Sequence, residues 1–101
     1  MATTPTAFFR GAATTTTSTV LSTVPASQTY IVTNIVIANT AGASGTFTLA
    51  LDGIAIATTV AIAANAVVTF DIKQVLATTK TITGGASATT VNFHISGVAV
   101  S

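Results

Sequence analysis

Cysteine, tryptophan and glutamate are absent from this chain, and charge of either sign is scarce. Without cysteine there is no disulfide framework and no thiolate metal site. Formal charge is confined to Arg10, Lys73, Lys80, Asp52 and Asp71, 5% of the residues, where an average domain carries about 25%. The net charge of +1 gives copies little mutual repulsion. Three basic residues spread at 10, 73 and 80 make no nucleic-acid patch, so no nucleic-acid partner is expected. With one tyrosine and no tryptophan, the aromatic platform common in sugar-binding sandwiches is missing. A carbohydrate-binding β-sandwich is therefore only a remote alternative.

Long apolar runs are missing too, although hydrophobic residues make up 50% and mean hydropathy is +0.79. The longest weakly polar stretch, Ile54 to Phe70, is interrupted by Thr58, Thr59, Asn65 and Thr69. It lacks the roughly 20 continuous apolar positions of a membrane-spanning helix and has no basic flanks. No membrane partner is expected. The first residues show no basic segment followed by an apolar one, so no secretory signal is expected and synthesis in the cytoplasm is.

What is abundant is threonine, valine, isoleucine and alanine, a mixture that suits the pleated, half-buried surface of strands. For 101 residues, area scaling puts the folded surface near about 5,200 Å², with roughly 64% of the open chain's surface buried. That is enough for one two-layer domain. Residues 30–38 carry apolar side chains at both parities, which predicts a central strand covered on both faces. Val91, Phe93 and Ile95 alternate with Asn92, His94 and Ser96, a pattern buried on one face. Turn signals recur at Pro25–Ser27, Asn39–Gly42, Ser44-Gly45, Ala63–Asn65 and Gly84-Gly85, the last expected to precede the final strand. Asp52-Gly53 is the pair that a type I′ hairpin prefers. The expected fold is all-β: a single antiparallel β-sandwich or jelly-roll-like domain of about seven or eight short strands, over residues 18–101. Asp71 and Gln74 have capping-box spacing. The expectation for residues 71–76 is a short connector between sheets, with one helical turn as the alternative.

Residues 1–17 read differently, as an extended N-terminal arm with Pro5, Gly11 and the Thr14–Thr17 run. Phe8, Phe9 and Arg10 form its one bulky cluster. Two adjacent aromatics with no core of their own must either fold back as an edge strand or dock on a neighbouring subunit, which makes Phe8, Phe9 and Arg10 candidate assembly contacts.

Little here could carry catalysis. General acid–base work would fall to His94, Asp52 or Asp71. Asp52 is accounted for by its turn, Asp71 by its cap, and His94 by the polar face of a strand. No Gly-x-Ser-x-Gly elbow accompanies the many serines. One histidine and two distant aspartates fall short of a metal site. Asn34 and Asn39 could serve calcium only with several backbone carbonyls. No phosphate-binding glycine loop is present, and no cofactor is expected. Thr-x-Thr arrays such as Thr46-Phe47-Thr48 and Thr79–Thr83 could line an ice-binding face, but the strict repeat such solenoids need is missing. The chain is not expected to be an enzyme.

The stretch Thr23 to Leu76 holds a Val24-Pro25-Ala26 turn, a strand Tyr30-Ile31-Val32-Thr33-Asn34-Ile35-Val36 and an Asn39-Thr40 turn. The Asp52-Gly53 hairpin follows, and an Ile62-Ala63-Ala64-Asn65 step then leads into a strand ending Asp71-Ile72-Lys73-Gln74-Val75-Leu76. With the closing run Val91–Val100, this pattern resembles small virion-associated structural proteins of tailed bacteriophages. The resemblance implies a fold similar to capsid decoration (cement) proteins and to small β-sandwich modules of tail, neck and fibre. It also implies a homo-oligomer, commonly a trimer, whose partners are its own copies and the major capsid protein or other virion proteins, and a location in the virion. It carries over no active site.

Overall fold

The computed structural model describes residues 3–101. Eight strands and no helix are found among them: β1 (Thr3–Ala12), β2 (Val20–Thr23), β3 (Thr29–Asn39), β4 (Gly45–Leu51), β5 (Ile54–Ile62), β6 (Val67–Leu76), β7 (Thr81–Ala86) and β8 (Val91–Val100). They form two four-stranded antiparallel sheets, ordered β1-β8-β3-β6 and β2-β7-β4-β5. First pairs with last, second with seventh, third with sixth and fourth with fifth. The chain is thus one long hairpin rolled into a sandwich, the strand order of a jelly roll. Its surface of 5096 Å² is close to that expected from chain length.

The innermost hairpin shows how local chemistry sets this order. Asp52 and Gly53 have φ of 55° and 73°, so both central residues are left-handed, as a type I′ turn requires. Asn65 (φ 54°) and Thr79 (φ 68°) hold the third position of the turns that close Ala63–Ala66 and Ala77–Lys80. Asn tolerates this backbone better than Thr, whose branched Cβ crowds it.

Inward-facing residues of both sheets make one core. Phe47 on β4 reaches across to Phe93 on β8, with centroids 6.5 Å apart edge-to-face, and to Phe70 on β6 at 6.1 Å. Val32, Ile35, Ile37, Leu49 and Ile82 are fully buried around them. On β8 the alternation is as expected, with Val91, Phe93 and Ile95 buried and the residues between them half-buried.

Four expectations are corrected. Residues 3–17 are not an arm apart from the sandwich: of the two outcomes open to the aromatic pair, the edge strand is the one found. Thr3–Ala12 pairs with β8 along its length, and the threonine run is tied to β7 through Ala86 N–H to Thr14 O (2.9 Å) and Gly84 N–H to Thr19 O (3.0 Å). Residues 71–76 form neither a connector nor a helical turn but the second half of β6, because pairing with β3 overrides the capping-box spacing. Gly84 and Gly85 do not precede the last strand but lie inside β7. A Cβ on Gly85 would collide with the backbone of Thr16, and one on Gly84 would sit 2.6 Å from Thr48 O, so these glycines mark close backbone approach rather than a turn. Finally, β3 is central, but only its inner face is fully covered; Ile31 and Val36 on the other face stay half-exposed.

Candidate functional site

A bulge decides the fate of the aromatic pair. Ala7 faces Ser96 and Phe9 faces Ile95, leaving Phe8 as the extra residue. Neighbouring side chains on a regular strand point to opposite faces; the extra residue lets both rings pack against the core. Phe8 is 8% exposed and stacks on Tyr30, with centroids 4.1 Å apart and planes 12° from parallel. Phe9 is half-buried and Arg10 is exposed. Of the three candidate assembly contacts, the structure therefore places Phe8 in the molecule's own core and leaves Arg10 on the surface. Arg10 faces His94 across the β1–β8 pair.

The groups considered for chemistry are spread out. Asp52 sits in the β4–β5 turn, 3.6 Å from Lys80 Nζ, with both side chains about half exposed. His94 is on the outer face of β8, and Asp71 is exposed on β6. Asn39, 3% exposed, is committed to structure: its Nδ2 donates to Ala43 O (2.9 Å) and Ala63 O (3.2 Å), and its Oδ1 accepts from Ala41 N–H (3.1 Å). It ties the β3–β4 and β5–β6 loops together at one end of the sandwich. Among the described residues no three His, Asp or Glu side chains cluster as a metal site would need.

The feature that stands out is apolar. Five large hydrophobic side chains are exposed among the described residues, and four of them, Ile54, Ile56, Val67 and Val75, belong to β5 and β6. Those are the terminal strands of the two sheets on one flank of the sandwich. Shallow grooves of about 190 and 220 Å³ run between them. Ile56, Phe70, Ile72 and Gln74 line the first, while Ile54, Ile56, Gln74 and Val75 contribute to the second. Each is smaller than the roughly 300–1,000 Å³ of a small-molecule pocket. They suit a few side chains of another polypeptide. At the opposite flank, by contrast, residues 14–19 cross from β1 to β2 and bond to β7.

The flank continues onto the outer face of the β1-β8-β3-β6 sheet. Register places Pro5 beside Val98, Val98 beside Ile31 and Ile31 beside Val75, an apolar row crossing all four strands. Pro5 and Val75 are exposed and the middle two half-exposed. Sequence reasoning missed this surface. Its members lie 23 to 93 residues apart in sequence, and only strand pairing makes them neighbours.

No family model, curated protein or solved structure matches the chain.

Proposed function

We propose that this chain is a non-enzymatic structural subunit of a virion, acting as a capsid decoration (cement) protein that binds the outer shell as a homo-oligomer and stabilises it. The observation that carries the reading is the uncommitted apolar surface: the β5/β6 flank and the outer row meeting at Val75, on a domain whose core is already closed. Such contiguous surfaces mark contact sites with other proteins. The near absence of charge fits the same role, since charges are depleted from the centres of interfaces. The resemblance of Thr23–Leu76 to tailed-phage virion proteins supplies the identity of the assembly.

The mechanism is mechanical. A rigid jelly roll seated over a seam between capsid subunits adds buried area there and opposes outward pressure from packaged DNA. Its partners are its own copies and the major capsid protein. Cryo-electron microscopy of intact particles, with band densitometry for copy number, tests this. Density at three-fold or quasi-three-fold axes in hundreds of copies is the expected result. Density confined to neck, tail or fibre would refute decoration and assign the chain to a tail or fibre-associated adaptor instead.

A further inference from the structure

The free edge of β6 carries a charge pattern that is its own complement. Asp71 and Lys73 are two of the five charged residues of the chain; they are both exposed and lie two positions apart on this edge strand. No charge lies on β5 beside them. We propose that β6 pairs antiparallel with β6 of a second copy about a two-fold axis at Ile72. This deepens the assembly reading by naming a partner and a register.

In that register Asp71 of each copy faces Lys73 of the other, twice per interface, and Thr69 faces Val75. A two-fold contact must be self-complementary, and this strand meets the condition in charge as well as shape. Shifting the register by two residues would place aspartate against aspartate or lysine against lysine, which is destabilising. The charges that usually blunt an edge strand here select one pairing. The register shift in β6, where Ile72 and Lys73 face only Thr33, adds local twist. A pairing partner must follow that twist, which a second copy related by a two-fold axis carries too.

Area supports the pairing. A strand of 10 residues is about 33 Å long, and the smallest dimension of the molecule is 18 Å. The flank therefore offers roughly 600 Å² per copy, about 1,200 Å² in total, at the lower bound of a specific interface. Ile54, Ile56, Phe70 and Ile72 line or adjoin that flank and would be covered by it. A two-fold contact closes at two copies, so a three-fold arrangement on a shell would use another surface.

The test is charge reversal in the full chain, read by sedimentation equilibrium. The wild type should dimerise. Asp71→Lys and Lys73→Asp should each raise the dimer Kd by about tenfold or more, and the double reversal should restore it. Neither side chain is buried, so folding is not at issue. As a second probe, Ile72→Cys introduces the chain's one cysteine. Facing antiparallel Cα atoms are about 4.5–5.5 Å apart, within disulfide reach, so mild oxidation should cross-link the dimer. A wild-type monomer, a double reversal no better than the single ones, a trimer indifferent to either reversal, or no cross-link would overturn the two-fold contact. Particle occupancy separates the readings. A wild type that is monomeric in solution yet occupies particles refutes this contact alone, and a dimer that never appears on particles refutes the virion role alone.

Discussion

Replacing Phe8 by alanine separates a strand from an arm. If Phe8 belonged to an arm that docks elsewhere, the free protein would not notice its loss. In the structure its ring is 8% exposed, stacked on Tyr30, and rests over Gly97 of β8, where a Cβ would come within 3.0 Å of it. Phe→Ala in a core costs about 3–5 kcal/mol through lost transfer energy and the cavity left behind. Phe8 keeps 8% exposure where Val32, Ile35 and Phe93 keep none, so the lower end applies. Stacking on Tyr30 adds about 0.5–1.5 kcal/mol. The expected loss is thus about 3.5–4.5 kcal/mol, a large share of the roughly 5–15 kcal/mol that stabilises a domain. In urea, with a slope of about 2 kcal/mol/M, the midpoint should fall by about 1.8–2.2 M without a change in slope. Arg10→Ala, on the exposed neighbour, should stay within about 0.5 kcal/mol. If Phe8→Ala unfolds at the wild-type urea concentration, the bulge that turns both rings inward is wrong, and the arm returns as an assembly element.

The other positions test separate parts of the fold. Gly85→Ala drives a Cβ against the backbone of Thr14 and Thr16, which cannot rotate away; thermal melting should show a loss of about 3 kcal/mol or more, while Gly42→Ala, with open space around it, should be near neutral. Asn39→Ala leaves Ala43 O and the Ala41 N–H without their partner and removes one of the two donors to Ala63 O, which keeps the Ala66 N–H, so chemical denaturation should report a loss of about 2 kcal/mol. Lys80→Ala removes an exposed pair at 3.6 Å and should cost less than about 1 kcal/mol, with the difference vanishing at high salt.

The layers and several turns were legible in the sequence because they depend on local chemistry. Asp52-Gly53 names its turn by the φ values it tolerates, and Val91-Phe93-Ile95 names a buried face by alternation. What failed locally was decided by distant pairing. Residues 71–76 have helix-start spacing, but β3 offers a ladder of hydrogen bonds that one helical turn cannot match. Gly84-Gly85 looks like a turn until the 14–19 segment is laid over β7, and then glycine is the residue that leaves room for a second backbone. The Phe8-Phe9 pair was ambiguous for a definite reason: adjacent aromatics cannot share a face without a bulge, and no single-strand pattern announces one. The apolar row from Pro5 to Val75 is a product of register alone.

These features bear on why so uncharged a chain can keep one arrangement. Edge strands with few charges invite indiscriminate pairing. On the β1/β2 side, residues 14–19 occupy backbone groups of β7 that a stranger could otherwise take. On β5, register shifts near Leu49 and the left-handed Thr59, whose N–H bonds to Thr48 Oγ1, break the regular ladder that another strand would need. β6, like β1, is 10 residues long and terminal in its sheet, and it too carries a register shift; what sets it apart is a pair of opposite charges. An edge that evolution had only to protect would carry like charges, which repel every copy in every register. Opposite charges two positions apart repel in some registers and attract in one, which is the pattern of an edge that selects its partner.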